Sequence, residues 1–147
     1  MDEFDAKILR ALEGDGRLSN VALAERVGLS PSACLRRVQE LERRGVIKGY
    51  RARLNRSMLG RDFLVYVTVG LAVHTKESQR AFERAITISD AVTECHNIAG
   101  AFEYLLRVET VDLKSFKAFH TDVLGALPQV RSITSYMVMD SPKDGRD

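Results

Sequence analysis

Residues 20–39, NVALAERVGLSPSACLRRVQ, have the pattern of two short helices joined by a tight turn. Gly28 supplies the left-handed backbone conformation that such a turn requires. Ser30 is a favoured N-cap and Pro31 suits the first helical position, so the second helix is expected to begin directly after the turn. This pattern predicts a helix-turn-helix, in which the second helix enters the major groove of DNA.

The second helix is predicted to have an apolar side and a cationic side. Its packing side carries Cys34, Leu35, Val38 and Leu41. Arginine and glutamine on the other side can hold guanine and adenine edges through paired hydrogen bonds. The residues expected nearest to the bases are Ser32, Ala33, Arg36, Arg37 and Gln39. Those expected to contact the DNA backbone are Ser19, Asn20, Ser30, Arg43, Arg44, Arg51 and Arg53.

Positive charge is concentrated around this helix. Residues 36–61 contain nine Lys or Arg residues against two acids, Glu40 and Glu42, which gives a net charge of +7. Residues 1–62 carry a net charge of +4, whereas residues 63–147 carry −2. A solvated charged helix face is the ordinary alternative, and the two glutamates support it. The local excess of cations nevertheless favours double-stranded DNA as the partner of the N-terminal half.

The N-terminal part of the chain is predicted to form a small helical domain followed by a linker. A first helix over residues 2–13 is indicated by apolar side chains that repeat every four residues. Ser19 is a suitable N-cap for the middle helix. Residues 46–54 alternate between apolar and cationic side chains at their C-terminal end, which predicts a short strand, or wing. The DNA-binding domain is therefore expected over residues 1–54 and the linker over residues 55–62.

The remaining chain has the pattern strand, helix, strand, strand, helix, strand. The strands are predicted over residues 63–73, 92–98, 104–109 and 130–139, and the helices over residues 76–88 and 112–127. This order predicts a ferredoxin-like βαββαβ domain over residues 63–140, which makes the whole chain α+β. Residues 141–147 are polar and are expected to form a loose tail.

The first strand of this domain is apolar on both faces. Alternate residues from Phe63 to Val73 form one face, and Leu64, Tyr66 and Ala72 lie on the other. Two helices can cover only one face of a four-stranded sheet. The second face therefore needs another partner, and a second copy of the same sheet is the simplest one. We expect a homodimer formed through the C-terminal domain.

Composition excludes several classes of protein. Residues 1–5 include three acids, whereas a secretory signal begins with basic residues. The longest apolar stretch, residues 63–73, is about half the length of a membrane-spanning helix. Cys34 and Cys95 alone provide no disulfide framework, and no zinc-ligand spacing or catalytic motif is present. We therefore expect a cytoplasmic protein without membrane association, metal, cofactor or catalytic activity.

The chain resembles the leucine-responsive/asparagine-regulator (Lrp/AsnC) family of transcription factors. The matching segments include DGRLSN (15–20), RVGLSP (26–31), LERRGVIKGY (41–50) and ECHNIAG (94–100). The resemblance implies an N-terminal DNA-binding domain and a C-terminal effector-sensing βαββαβ domain. It also implies dimers that assemble further, commonly to octamers, and small effectors that are typically amino acids.

In this family the effector lies near the loop between the second and third strands of the C-terminal domain. By that resemblance the effector-binding residues are Ala99, Gly100, Ala101, Phe102, Glu103 and Tyr104. Glycine lets backbone N–H groups approach a carboxylate closely, and Glu103 could meet an ammonium group. The family usually has Gly-x-Tyr/Phe-Asp with a polar x, whereas this chain has Ala101 and Glu103. A tight turn that only joins two strands is the alternative.

Two other functions are compatible with the pattern. Tetrapyrrole-pathway decarboxylases have the same two-domain architecture and resemble these regulators, but a cationic DNA-reading helix has no use in such an enzyme. A nucleoid-organising protein would compact DNA with little sequence preference. The cationic helix favours a sequence-specific regulator whose DNA affinity or assembly state responds to a small effector.

Overall fold

The chain folds as two compact units. The computed structural model describes residues 1–145. The first unit is Met1–Arg53, and the second begins at Leu54. Within the described residues, no helix has both the length and the apolar character needed to cross a membrane.

Three helices form the N-terminal unit: α1 (Glu3–Gly14), α2 (Asn20–Val27) and α3 (Pro31–Arg43). Each helix begins at a side chain that accepts a hydrogen bond from a first-turn N–H, and these caps are Asp2, Ser19 and Ser30. Gly28 ends α2 with φ 76° and ψ 37°, the left-handed conformation that the turn requires. The helix-turn-helix prediction is confirmed.

One small core joins the three helices. It contains Ile8, Leu23, Ala24, Val27, Cys34 and Leu41. Cys34 and Leu41 therefore occupy the packing side predicted for α3, and Val38 is half-buried against the same core. Leu35 is 45% exposed, contrary to the prediction. It lies about 100° around the helix from Cys34, which places it at the margin of the packing side.

The strand predicted within residues 46–54 is not formed. These residues have no regular secondary structure, and Leu54 is 60% exposed. A strand needs a hydrogen-bonded neighbour, and the described part of this unit offers no second strand. The segment instead contacts the end of α3 through Tyr50, whose hydroxyl donates a hydrogen bond to Glu42 Oε1 at 2.9 Å.

The C-terminal unit has four strands and two helices in the predicted order: β1 (Phe63–Leu71), α4 (Lys76–Thr87), β2 (Val92–Asn97), β3 (Tyr104–Thr110), α5 (Leu113–Ala118) and β4 (Val130–Met137). All strand pairs are antiparallel, and the order across the sheet is β2-β3-β1-β4. This is the ferredoxin-like arrangement, so the α+β prediction is confirmed. The α-helix predicted over residues 112–127 ends early. Its α-helical part is only Leu113–Ala118, and a π-helical turn, Phe119–Leu124, follows it.

The two helices cover one face of the sheet. Val65, Val67 and Val69 of β1 are fully buried on that face. They pack in one core with Phe82 of α4 and Phe116 of α5. The alternate residues of β1 therefore lie on the opposite face, which the helices leave uncovered.

That opposite face carries a buried ionic cluster formed by Arg56, Arg107, Glu109 and Asp144. Arg107 and Glu109 of the central strand β3 are each 4% exposed. Arg107 donates to Glu109 Oε1 at 2.8 Å and to Asp144 Oδ2 at 2.6 Å. Arg56 forms an ion pair with Glu109, and Arg107 also donates to the Tyr66 hydroxyl at 3.0 Å. The face expected to be largely apolar therefore has charged groups in its middle.

Two segments outside the sheet reach the ionic cluster. Arg56 lies in the predicted linker over residues 55–62, and Asp144 lies in the segment that follows β4. The tail over residues 141–147, expected to be loose, is therefore held at Asp144 by a buried arginine. Its last two residues, 146–147, lie outside the described residues.

Candidate nucleic-acid interface and effector loop

Helix α3 presents its cationic side to solvent. Cys34 and Leu41, two turns apart on the other side, are buried and fix the orientation of the helix. Of the residues predicted to contact DNA here, Ser32, Arg36, Gln39, Arg43 and Arg44 are exposed, whereas Ala33 is half-buried; Glu40 and Glu42 are exposed as well. Arg36 has no ion-pair partner among residues 1–145, so its guanidinium group is available to a ligand.

Arg37, expected among the residues nearest to the bases, is held within the protein. Its Nη1 lies 2.8 Å from Asp2 Oδ2 and 2.8 Å from Asp5 Oδ1. Its guanidinium group also lies over the Phe4 ring, 5.5 Å from the centroid. The hydrogen bonds to Asp2 and Asp5 raise the pKa of Arg37. The structure therefore does not bring Arg37 together with Arg36 on the exposed side of α3.

Arg43 is paired along its own helix. Its Nε and Nη2 donate to the two carboxylate oxygens of Glu40 at 2.8 and 2.7 Å. These hydrogen bonds raise the pKa of Arg43 and lower the pKa of Glu40. Because the Arg43 side chain is 72% exposed, water and salt screen the pair, which contributes little to stability. Arg43 can therefore exchange Glu40 for a phosphate group at small cost.

A cleft of about 500 Å³ lies along one flank of α3. Its lining consists of Asp5, Arg36, Arg37, Gln39, Glu40, Leu41, Arg43 and Arg44. Within this lining Arg37 pairs with Asp5 and Arg43 pairs with Glu40, so the net positive charge of the cleft belongs to Arg36 and Arg44. It therefore favours an anionic ligand such as a phosphate group.

Three of the expected backbone-contacting residues also hold the helix-turn-helix together. Ser19 and Ser30 accept hydrogen bonds from first-turn N–H groups of α2 and α3 at 3.1 and 3.3 Å. Asn20 Nδ2 donates to the Pro31 carbonyl at 2.8 Å and ties the start of α2 to the first turn of α3. Ser19 and Ser30 are exposed, so their capping role does not remove them from the surface.

Arg51 and Arg53 lie on the irregular segment that follows α3. Both side chains are exposed. Because the segment is not a strand, strict alternation does not place the two guanidinium groups on one face. Their contact with a DNA backbone stays a prediction that depends on their charge and on their position after α3.

The predicted effector loop joins β2 to β3. At its base, Ile98 N–H donates to the Glu103 carbonyl at 2.8 Å, and Asn97 Nδ2 donates to the same oxygen at 3.1 Å. Residues 99–101 at the tip are exposed, and Phe102 is half-buried. The tip can therefore present backbone N–H groups to a carboxylate from solvent.

Glu103 already has partners in this structure. Its Oε2 accepts a hydrogen bond from Leu71 N–H at 2.8 Å, and its Oε1 lies 2.8 Å from His74 Nδ1. Its own N–H donates to the Val69 carbonyl at 3.2 Å. The Glu103 side chain is 19% exposed, so part of it remains open to solvent. An incoming ammonium group would have to share this carboxylate with Leu71 and His74.

The side chain of Tyr104, which is expected to contact an effector, is buried in the core of the C-terminal unit. Tyr104 is 1% exposed, its ring centroid lies 4.6 Å from that of Phe82, and its hydroxyl donates to Glu83 Oε1 at 2.7 Å. Burial and the hydrogen bond to Glu83 raise the pKa of Tyr104. The cause is the register of the sheet, because Tyr104 pairs with Val69 and so points to the helix-covered face.

Comparison with known proteins finds a family match for each unit. Residues 1–48 match the winged helix-turn-helix DNA-binding domain, and residues 64–147 match the Lrp/AsnC ligand binding domain. The chain is 40% identical over 144 residues to a proline dehydrogenase transcriptional activator of Rhizobium radiobacter, with 98% of this chain and 92% of the relative covered.

Two further relatives extend this comparison. The chain is 39% identical over 143 residues to the leucine-responsive regulatory protein of Escherichia coli, with 97% of this chain and 87% of the relative covered. A transcriptional regulator from Neisseria meningitidis, solved in complex with L-Met, superposes with a TM-score of 0.94 and 33% identity. That superposition covers 98% of this chain and 93% of the other.

Proposed function

The chain belongs to the Lrp/AsnC family of transcriptional regulators, and we propose that it reads operator DNA through the exposed side of α3. Cys34 and Leu41 anchor α3 in the core, whereas Arg36 and Gln39 stand on the opposite side in solvent. This orientation carries the proposal, because arginine and glutamine can each form paired hydrogen bonds with a base edge in the major groove.

Two kinds of DNA contact follow from the geometry of α3. Arg36 and Gln39 would reach base edges, together with Ser32 in the first turn. Arg43 and Arg44 at the end of α3 would contact phosphate groups along the cationic cleft. The exposed caps and the arginines after α3 would add contacts to the DNA backbone, namely Ser19, Ser30, Arg51 and Arg53.

Replacing Arg36 by Ala is expected to weaken binding to the preferred operator by about 1–3 kcal/mol and to relax specificity at one base pair. The reason is the loss of a base-directed guanidinium group. The measurement is a mobility-shift titration on an operator selected from random duplexes by the unaltered protein. Arg10→Ala is the matched control, since Arg10 is an exposed arginine of α1 that does not line the cleft beside α3. Equal affinity of the two variants would contradict the docking of α3.

A footprint would separate a specific regulator from a nucleoid-organising protein. One protected site of defined length supports the regulator. Broad protection without a preferred site supports compaction of DNA and contradicts the base-reading role of Arg36 and Gln39.

We further propose that the protein acts by binding alone, in the cytoplasm. The arginines on and after α3 support this, since a DNA-reading surface has no use in a decarboxylase. Tetrapyrrole binding by a protein that has no affinity for DNA would contradict it.

The C-terminal unit is proposed to bind a small effector of the amino-acid class at the β2–β3 loop. The match to a ligand-binding domain and the relative solved with L-Met support this class of ligand. Exposed N–H groups at residues 99–101 would hold the effector carboxylate. The ammonium group would approach Glu103, which offers a carboxylate already oriented by Leu71 and His74.

A calorimetric screen of the common amino acids is expected to find at least one ligand that changes operator affinity by about 5- to 150-fold. Glu103→Gln keeps an acceptor for Leu71 N–H but removes the negative charge. This variant should weaken binding of the amino acid and leave binding of its analogue without the ammonium group unchanged. Absence of heat with every amino acid, and of any change in particle size, would contradict the effector proposal.

The protein is also proposed to act as a homodimer that can assemble further, for example to an octamer. Apolar side chains remain exposed on and after β4, including Tyr136 at 53% and Met139 at 99%. A dimer would present two reading helices to half-sites roughly 34–36 Å apart. Light scattering at micromolar concentration should give the mass of a dimer or a multiple of it, and the mass of a monomer would contradict the proposal.

A further inference from the structure

We infer that Arg37 is a positioning residue, which fixes the reading helix α3 to the N-terminus of α1, and is not a DNA-contacting cation. This inference rests on the proposed function, because it assigns a role within the same DNA-reading surface. Arg36 and Arg37 are adjacent in the sequence but have different surroundings in the structure, so they have different roles: Arg36 contacts DNA and Arg37 positions α3.

The first observation is the use of every carboxylate oxygen in the cluster. Asp2 Oδ1 accepts the Asp5 N–H at 3.0 Å, and Asp5 Oδ2 accepts the Asp2 N–H at 3.1 Å. The remaining oxygens, Asp2 Oδ2 and Asp5 Oδ1, both accept from Arg37 Nη1 at 2.8 Å. The capping box of α1 and the ion pairs to α3 therefore form one hydrogen-bonded network, the Arg37 cluster, which consists of Asp2, Asp5 and Arg37.

The second observation is that the Arg37 cluster is partly buried. The Asp5 side chain is 14% exposed and the Arg37 side chain 28% exposed. The Phe4 ring lies on the guanidinium group, with 5.5 Å between the Arg37 Cζ and the ring centroid. Such a group is less screened by solvent than the Arg43–Glu40 pair, so its geometry is better defined.

The third observation is the charge balance at Arg37. One guanidinium group faces two carboxylates, which leaves a local net charge of −1. A phosphate group that approached Arg37 would meet this negative charge and would have to displace both aspartates. Arg36 has no such partner among residues 1–145 and points about 100° away around the helix.

As a consequence, the orientation of α3 relative to α1 depends on the contacts between Arg37 and the first turn of α1. The core holds α3 at Cys34 and Leu41, and the Arg37 cluster adds a polar attachment on the flank between them. Loss of the attachment would let α3 shift relative to α1 while the core persists. Base contacts need positions accurate to a fraction of an ångström, whereas non-specific contacts to phosphate groups tolerate such a shift.

The test compares Arg37→Gln, Asp5→Asn and Arg36→Gln on the selected operator and on a scrambled duplex. For a positioning role, Arg37→Gln and Asp5→Asn each weaken operator binding by roughly tenfold, the effect of 1.4 kcal/mol. Binding to the scrambled duplex and the salt dependence stay unchanged, and the double variant loses no more than either single variant. Arg37→Lys, which keeps a cation between the two aspartates, recovers part of the operator affinity.

A phosphate-contacting role gives the opposite pattern. Arg37→Gln would then weaken binding to both duplexes. It would also reduce the slope of log K against log salt by about 0.9 for each reading head, that is, for each N-terminal unit of the dimer. Asp5→Asn would strengthen binding, because it releases Arg37 and removes a repulsive charge. Glu3→Gln controls for the charge change alone, since Glu3 lies in the same turn and pairs with Lys7 and not with Arg37.

Amide hydrogen exchange keeps the inference testable if the protein binds no DNA. Faster exchange in the first turn of α1 in both Arg37→Gln and Asp5→Asn, with no further change in the double variant, supports the attachment even when the proposed function fails. Unchanged exchange in the two variants overturns the inference while the DNA-reading role of Arg36 can still stand.

Discussion

Raising the salt concentration from 50 to 200 mM is expected to weaken operator binding by roughly 10³- to 10⁵-fold, if a dimer neutralises about six to ten phosphate groups. Each neutralised phosphate releases condensed counterions, and added salt opposes that release. Each reading head contributes Arg43 and Arg44 at the end of α3, with Arg51 and Arg53 after the helix. Titrations at four or more salt concentrations would give the slope of log K against log salt.

A double variant, Arg43→Gln/Arg44→Gln, identifies the source of this salt dependence. Each lost phosphate contact should reduce the slope by about 0.9, so the double variant should lose about 1.8 for each reading head. The Arg10→Ala variant should keep the slope of the unaltered protein. A slope near zero in the unaltered protein would exclude the electrostatic contribution on which the proposed interface depends.

Local features of the DNA-binding unit could be predicted because their causes lie within a few residues. Ser19 and Ser30 cap helices through N–H groups three residues away. Gly28 ends α2 through its own backbone conformation. Helical spacing alone identifies the buried side of α3, apart from Leu35 at its margin.

Features that depend on distant partners could not be predicted from patterns. Arg37 meets aspartates 32 and 35 residues earlier in the chain, and no helical wheel of α3 contains them. The alternation over residues 50–54 suggested a strand, but alternation cannot show whether a neighbouring strand exists. The carboxylate of Glu103 is similarly held by Leu71, 32 residues away.

Tyr104 is a different case, because a signal was present in the sequence. A position next to the loop suggested contact with an effector. Tyr104 alternates with Leu106 and Val108 in the sequence of β3, which places it on the apolar face of the strand. Its position opposite Val69 in the structure agrees with this. Chain proximity to a functional loop is therefore a weaker guide to side-chain role than the face of the strand.

The ionic cluster on the uncovered face of the sheet has the largest expected effect on stability. Arg56, Arg107, Glu109 and Asp144 together are neutral, and Glu109 contacts both arginines. Because Arg107 and Glu109 are each 4% exposed, water can replace little of a lost interaction. The cluster also attaches the linker and the segment after β4 to the sheet, so its loss would affect more than one strand.

Glu109→Ala is therefore expected to destabilise the C-terminal unit by about 3–5 kcal/mol, because it removes a buried carboxylate that pairs with both Arg56 and Arg107. Glu109→Gln should cost less, since its amide oxygen can still accept one hydrogen bond. Denaturant unfolding followed by circular dichroism and by tyrosine fluorescence would measure both, with Glu77→Ala on the exposed side of α4 as the control. If Glu109→Ala unfolded at the same denaturant concentration as that control, the buried charges would not stabilise the sheet, and the linker and tail would need another attachment.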